Sequence, residues 1–186
     1  MNLGQTMITS GMFVLLVMSV ISANRMLVEN TELTLQAEAM ELSSTIAEDL
    51  IAEASFKKFD VTVPDGDMGF MYPWDFGTCG PSPTEQSLVP LPDTEPFKSL
   101  STFNDFDDYD GYRRIVNAGG ISGFVVNSYV YYVDEYNPDL PSYWQTYYKK
   151  MEVRVSHPQY IVDKEGKAFK ADGSPVQIVY TSLMSY

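Results

Sequence analysis

The sequence predicts an α+β fold in which a long N-terminal α-helix packs on a small antiparallel β-sheet. Three features lead to this prediction. An apolar run without charged side chains opens the chain, a charged segment with helically spaced apolar residues follows it, and alternating segments rich in Val and Tyr fill the C-terminal half. At 186 residues, the chain has room for one ordinary domain and an extension.

The apolar run from Met7 to Ala23 is long enough to enter the core of a bilayer. No charged residue precedes Arg25, so the basic segment of a secretory signal peptide is missing. We therefore expect the run to belong to the working protein. Gly4, just before the run, and Gly11, within it, are small enough to let neighbouring helix backbones approach closely.

The segment from Asn24 to Ala54 contains neither Gly nor Pro, and it continues the helix beyond the apolar run. Its apolar residues fall at helical spacing: Val28, Leu35, Ala39, Leu42, Ile46 and Leu50. Glutamates occupy the remaining surface: Glu29, Glu32, Glu38, Glu41, Glu48 and Glu53. We predict one continuous helix over 1–54, about 75 Å long, that is first hydrophobic and then amphipathic.

The region 55–186 is predicted to be a globular β domain. It opens with a turn at Pro64, Asp65 and Gly66, which begins a loop over 64–102 that is too rich in Pro and Gly for a long helix. We expect the loop to be ordered, because it carries aromatic residues with which to pack: Phe70, Tyr72, Trp74 and Phe76.

Three strands are predicted after this loop, over Ile121–Glu135, Tyr147–His157 and Pro175–Met184. The first strand has apolar side chains on both faces, so both faces should be covered. The second alternates apolar residues that face inwards (Met151, Val153, Val155) with polar residues that face outwards (Lys150, Glu152, Arg154, Ser156). An antiparallel meander is the simplest topology for the three.

A cluster of acidic residues is the best candidate for a metal site, and its carboxylates are Asp105, Asp107, Asp108 and Asp110. Carboxylates this close repel one another unless they are solvated or neutralised, and Ca²⁺ is the natural cation outside a cell. The spacing does not match the EF-hand ligand order. The alternatives are a solvated acidic turn ended by Gly111, or neutralisation by Arg113 and Arg114.

The remaining residues with reactive side chains give no indication of an enzyme. His157 is the only histidine, and we expect it at the surface of a strand end; Cys79 is the only cysteine, and we expect it to be inert or to bridge two chains. Since no catalytic or nucleotide-binding motif occurs, we expect no catalytic residue, no cofactor other than Ca²⁺ and no small-molecule substrate.

Charge and aromatic content bear on the choice of partner. A formal net charge of −13 disfavours nucleic acid. Aromatic residues gather around the first predicted hairpin: Tyr131, Tyr132, Tyr136, Tyr143, Trp144, Tyr147 and Tyr148. They could bind a carbohydrate or a protein, but sheet core and subunit contacts are the favoured interpretation.

The plan of the chain resembles that of type IV pilins and secretion pseudopilins. The resemblance is carried by residues 1–59, which open MNLGQTMITSGMFVLLVMSVISANR, and more loosely by FDDYDGY at 106–112 and by the VRVSHP and IVYTSL segments. The family usually has Glu at the position of Gln5, where it neutralises the terminal amine of a neighbouring subunit. An amide can accept the same hydrogen bond but carries no charge. The basic leader of the family is not in this sequence, which leaves open whether a leader was removed.

The resemblance implies a structural subunit of an extracellular, type IV pilus-like filament at the cell surface. Such a homopolymer is assembled through N-terminal helices that lie in the inner membrane before assembly. The residues expected in the filament core are Met1, Gln5, Gly11, Phe13, Leu16, Val17 and Val20. Two alternatives stay open, namely a single-pass membrane-anchored extracytoplasmic binding module and a pseudopilin of a secretion system.

Overall fold

The computed structural model describes residues 3–64 and 71–186. The chain forms two compact units, and the boundary between them lies within the first helix. One unit ends at Glu38, and the other comprises Ala39–Tyr186. Four residues named in the predictions lie outside the described residues: Asp65 and Gly66 of the predicted turn, Phe70 of the loop and Met1 of the expected filament core.

Helix α1 runs without interruption over Leu3–Ser55, which confirms the predicted long helix. Its last turn tightens after Ala54, whose carbonyl accepts a hydrogen bond from the N–H of Lys57 at 3.0 Å. The chain then turns, and Phe59 and Asp60 become buried beyond the helix end.

Four antiparallel strands form one sheet within the described residues: β1 (Arg113–Ala118), β2 (Ile121–Tyr132), β3 (Tyr148–Ser156) and β4 (Ile178–Ser185). The strands lie in the order β1-β2-β3-β4, so the predicted meander is confirmed, with one strand more than predicted. Strand β1 escaped prediction because it is short and opens with two arginines. Its turn into β2 is the pair Gly119 and Gly120, both at positive φ.

The two faces of the sheet are covered to different extents. On β2, Phe124, Val126 and Val130 are buried, whereas Tyr129 on the other face is exposed. The expectation that β2 is covered on both sides is therefore wrong at Tyr129, while Val125 and Tyr131 on the same face are half-buried. On β3, the predicted inward and outward alternation is confirmed except at Ser156, which is buried.

The C-terminal part of α1 covers the buried face of the sheet. It does so with a stripe of mostly small residues that are 0% exposed: Ala39, Ser43, Ala47, Leu50 and Ala54. Small side chains let the helix approach the strands closely, and the hydroxyl of Ser43 lies 3.1 Å from that of Tyr180 on β4. The predicted apolar stripe is confirmed at Ala39, Ile46 and Leu50, which are buried, whereas Val28 of the same stripe is exposed.

The described part of the Pro-rich loop contains short helices: a 3₁₀ turn at Pro73–Asp75, α2 at Pro83–Leu88 and α3 at Ser99–Thr102. Phe76 is buried and packs on Phe59, with ring centroids 5.0 Å apart. Tyr72 and Trp74 instead stack on each other and stay exposed. The expected packing is thus confirmed at Phe76 alone among these three.

Substitutions in the β1–β2 turn should separate the cost of backbone strain from the cost of a close contact with Leu42. A Cβ atom on Gly119 would lie 2.6 Å from Cδ1 of Leu42, whereas one on Gly120 would meet no atom within 4 Å. Gly120→Ala should lower the free energy of unfolding by about 1 kcal/mol through backbone strain alone. Gly119→Ala should lower it further, because Leu42 must also move. Chemical denaturation of both variants checks this, and equal losses would contradict the close helix–turn contact.

Candidate functional site

The first candidate site is the N-terminal part of α1, whose apolar side chains are exposed. In the described part of the residues expected in a filament core, every residue is exposed: Gln5, Gly11, Phe13, Leu16, Val17 and Val20. By length and composition α1 can cross a membrane, and none of its apolar window is buried within the chain. The helix is thus compatible with membrane insertion.

The exposed apolar surface continues past the first charged residue. Met26, Leu27 and Val28 are 67%, 64% and 66% exposed. Because they are consecutive, they point in three different directions around the helix. Arg25 pairs with Glu29 one turn away, at 2.8 Å, and marks a charged side of the same segment. Apolar side chains thus point to several sides of this segment, and no described residue covers them.

The predicted acidic cluster is a second candidate site, and it is buried. Asp105, Asp107 and Asp108 are each less than 5% exposed, and Asp110 is half-buried. The carboxylate of Asp108 accepts the backbone N–H groups of Asn104 and Asp105, at 2.8 and 3.2 Å. The interpretation as a solvated acidic turn is therefore wrong, because these carboxylates hold the local backbone together.

A metal site is not apparent in the described residues, where no three His, Cys, Asp or Glu side chains are arranged to hold an ion. One carboxylate oxygen of Asp110 is already occupied by the backbone, since Oδ1 accepts a hydrogen bond from the N–H of Val130 at 3.0 Å. Calcium binding stays a prediction.

The cation that neutralises the cluster is Lys149 of β3. Its Nζ lies 3.0 Å from Oδ1 of Asp107 and 3.0 Å from Oδ2 of Asp60, and its side chain is fully buried. Neutralisation by Arg113 and Arg114 is therefore wrong. Lys149 stands opposite Tyr132 in the β2–β3 register, so it points to the same face as the sheet core.

Asp60 is the most fully hydrogen-bonded carboxylate of this cluster. Thr62 donates its N–H and its hydroxyl to Oδ1, at 2.9 and 2.7 Å, while Gly77 and Lys149 donate to Oδ2, at 2.9 and 3.0 Å. Burial opposes the ionisation of Asp60, but the bonds from Thr62 and the charge of Lys149 outweigh it and lower the pKa. Asp60 is ionised at neutral pH.

The neighbouring carboxyls shift the other way. Burial, a hydrogen bond shared with Asp107 and the nearby charges of Asp107 and Asp108 raise the pKa of Asp105 to about 8. Burial also raises the pKa of Asp107, against the opposing effect of Lys149. One ammonium group cannot neutralise the four buried carboxyls of Asp60, Asp105, Asp107 and Asp108, so at least one of them holds a proton.

A second buried ion pair joins α1 to β1. Glu53 accepts a hydrogen bond from Nη1 of Arg114 at 2.9 Å, and from the hydroxyls of Tyr109 and Ser99 at 2.7 and 2.8 Å. The guanidinium of Arg114 lies 4.7 Å from the centroid of the Phe97 ring. Glu53 was expected on the exposed surface of the helix, and this is wrong because the side chain turns into the domain.

The remaining candidates divide between core and surface. His157 is buried, where its Nδ1 accepts the N–H groups of Gln159 and Tyr160, so its expected surface position is wrong. Burial raises the pKa of Cys79 to about 12, which keeps the thiol protonated and fits an inert residue.

The aromatic region is split in the same way. Tyr132 is buried, whereas Tyr136, Tyr143 and Trp144 lie exposed in the β2–β3 connection. The interpretation as sheet core is thus confirmed for Tyr132 and wrong for these three. Whether they contact other subunits stays a prediction.

Comparison with known proteins gave no match: neither a family model, nor a curated protein, nor a solved structure is similar to this chain. The relation to pilins therefore remains a resemblance.

Sequence reasoning missed the two residues at the centre of the buried cluster, Lys149 and Asp60. A signal for Lys149 was present, because it lies two positions before Met151 on a strand whose alternation was recognised. No comparable signal marks Asp60, which meets Lys149 only through the tertiary fold.

Replacing Lys149 tests the importance of the buried cluster. Lys149→Met would leave Asp60 and Asp107 buried without their cation, which should lower the free energy of unfolding by about 3–5 kcal/mol. The matched control is Lys150→Met, because Lys150 pairs with the exposed Asp139. That variant should lose no more than about 1 kcal/mol in the same denaturation experiment. Equal losses would contradict the assigned role of Lys149.

The pKa of Asp105 predicts how stability depends on pH. Since the folded-state pKa is raised from 3.8 to about 8, the folded protein binds this proton more tightly than the unfolded chain does. This contribution to stability is complete below about pH 4 and is lost as the pH rises to about 8.

Asp105→Asn should remove that loss, so the variant should gain stability relative to the parent between pH 5 and pH 8. Thermal unfolding across this range measures the difference. Asp163→Asn is the control, because hydrogen bonds from Lys167 and Glu165 lower the pKa of the exposed Asp163. Asp163→Asn should leave unchanged the loss of stability that accompanies the rise in pH to about 8. An unaltered pH profile in Asp105→Asn would contradict the assignment.

Proposed function

We propose that this chain is a structural subunit of an extracellular filament of the type IV pilus kind, with α1 in the filament core and the β domain outside. The observation that carries the proposal is the extent of the exposed apolar surface of α1. It begins at Met7 and includes Leu33, more than the roughly 20 residues that cross a bilayer core.

Exposed apolar side chains of this size are costly in water. Burial of one Leu, Val or Met side chain stabilises by about 1.5–3 kcal/mol, and a helix that is apolar on nearly all sides must be enclosed by lipid or by other helices. A bilayer can enclose the run from Met7 to Ala23. Packing of α1 against other copies of α1 would also enclose Met26, Leu27 and Val28.

The same helix can occupy a bilayer and a filament core at successive stages. We propose that the apolar run holds the subunit in the inner membrane before assembly and is then transferred into the filament core. The acidic β domain would face solvent at the cell surface, and the net charge of −13 of the whole chain favours solubility and disfavours nucleic acid as a partner.

An anchored binding module is the second candidate. The exposed Tyr136, Tyr143 and Trp144 favour it, because aromatic side chains of this kind are common at binding surfaces. In that case the part of α1 beyond the membrane would need no partner helices. A pseudopilin would share the fold and assembly of the favoured candidate and differ in the length of its fibre.

The two candidates predict different effects of a charge beyond the membrane span. Val28→Lys should abolish fibres while leaving the protein in the membrane fraction before assembly, because the charge would be buried only in the packed filament. Glu32→Lys is the matched control, since it keeps a charged side chain at a position that is already charged. It should still form fibres.

Leu16→Lys, within the apolar run, should abolish both fibres and membrane retention while the β domain stays folded. Electron microscopy of sheared material and membrane fractionation measure these outcomes. Fibres of normal yield from Val28→Lys would count against the filament and in favour of the anchored module.

A further inference from the structure

We propose that Lys149 and Asp60 form an intramolecular amide bond, which would link strand β3 covalently to the segment that follows α1. The proposal concerns the β domain itself and does not depend on filament assembly.

The geometry brings an amine and a carboxyl group together in a closed site. Nζ of Lys149 donates a hydrogen bond to Oδ2 of Asp60 at 3.0 Å, and both side chains are 0% exposed. The same Nζ lies 4.5 Å from the centroid of the Phe59 ring and 5.0 Å from that of the Tyr132 ring. These rings and the strands exclude water, which would otherwise favour hydrolysis over amide formation.

The ion pair must become neutral before it can react. Asp60 is ionised at neutral pH, so one proton moves from Nζ of Lys149 to Oδ2 of Asp60 along the 3.0 Å hydrogen bond before the amine attacks. The neutral pair is the reactive one, because the free amine is the nucleophile and the protonated carboxyl is the better electrophile. Amide formation then removes two buried charges.

The reaction needs no other reagent. The lone pair of Nζ attacks Cγ of Asp60 and forms the C–N bond, which gives a tetrahedral intermediate. The nitrogen loses a proton, one hydroxyl oxygen of the carboxyl gains a proton, and the C–O bond to that oxygen breaks. The products are one amide and one water molecule, and the net charge of the pair is zero before and after.

Asp107 is placed to move these protons. Its Oδ1 lies 3.0 Å from Nζ of Lys149, the same distance as Oδ2 of Asp60. The carboxyl of Asp107 can give a proton to the departing oxygen and accept one from the nitrogen, which leaves Asp107 unchanged at the end.

The hydrogen bonds of Asp60 favour it over Asp107 as the carboxyl that reacts. The N–H of Gly77 donates to Oδ2, and Thr62 donates twice to Oδ1, so donors are in place to stabilise negative charge on the intermediate. Oδ1 of Asp107 is close to Lys149, but it accepts no well-aligned hydrogen bond from a described residue.

The test is the mass of the intact, purified chain. We expect it to be lower than the mass of the unmodified chain by one water molecule. After trypsin digestion, peptide 59–98, which contains Asp60, should be joined to peptide 115–150, which contains Lys149 and is not cleaved there. Asp107 lies in the separate peptide 99–113, so the digest distinguishes the two carboxyls.

Variants test the assigned roles. Lys149→Arg and Asp107→Ala should each show the mass calculated from the sequence, without loss of water, and circular dichroism should show that the strands of Asp107→Ala are intact. The neighbouring Lys150→Arg should still show the loss of one water molecule. A full mass for the folded parent chain would overturn the proposal. A link between peptides 99–113 and 115–150 would overturn the choice of Asp60, and an intact link in Asp107→Ala would overturn the role of Asp107.

Discussion

The close packing of the C-terminal part of α1 on the sheet is the constraint on which the rest of the β domain depends. The buried stripe consists mostly of Ala and Ser, so the helix backbone approaches the strands more closely than larger side chains would allow. This approach fixes where the helix ends. Glu53 in the last turn then reaches Arg114 of β1, and Asp60 just beyond it reaches Lys149 of β3.

Two buried ionic clusters therefore lie at the same end of α1. Each joins one basic side chain of the sheet to at least one acidic side chain of the helix or of the segment after it. The clusters also hold the Pro-rich loop, because Ser99 and Gly77 donate hydrogen bonds to Glu53 and Asp60. A domain built in this way holds the C-terminal end of the helix firmly in place.

The sequence predicted the features that depend on local periodicity. The length of α1, the alternation of β3 and the antiparallel order of the strands all follow from spacings of three to four or of two residues. The site was predicted less well. Burial of Asp105 and Asp107 depends on a lysine more than forty residues later in the chain, and burial of His157 depends on contacts with β2 that no local pattern encodes.

The two halves of α1 were predictable for different reasons. The C-terminal half has its partner within the chain, so its stripe could be checked at Ala39, Ile46 and Leu50. The partner expected for Met26, Leu27 and Val28 is another copy of the same helix, which no single chain contains. Their exposure is the feature that gives the proposed filament its physical reason.

Electron microscopy of material sheared from the surface of producing cells, combined with mass spectrometry of that material, tests the filament most directly. The account predicts thin fibres in which this chain is a principal component and peptides from the apolar run, 7–23, are retained. Absence of the chain from any fibre, together with its recovery in the membrane fraction alone, would contradict the filament and leave an anchored module.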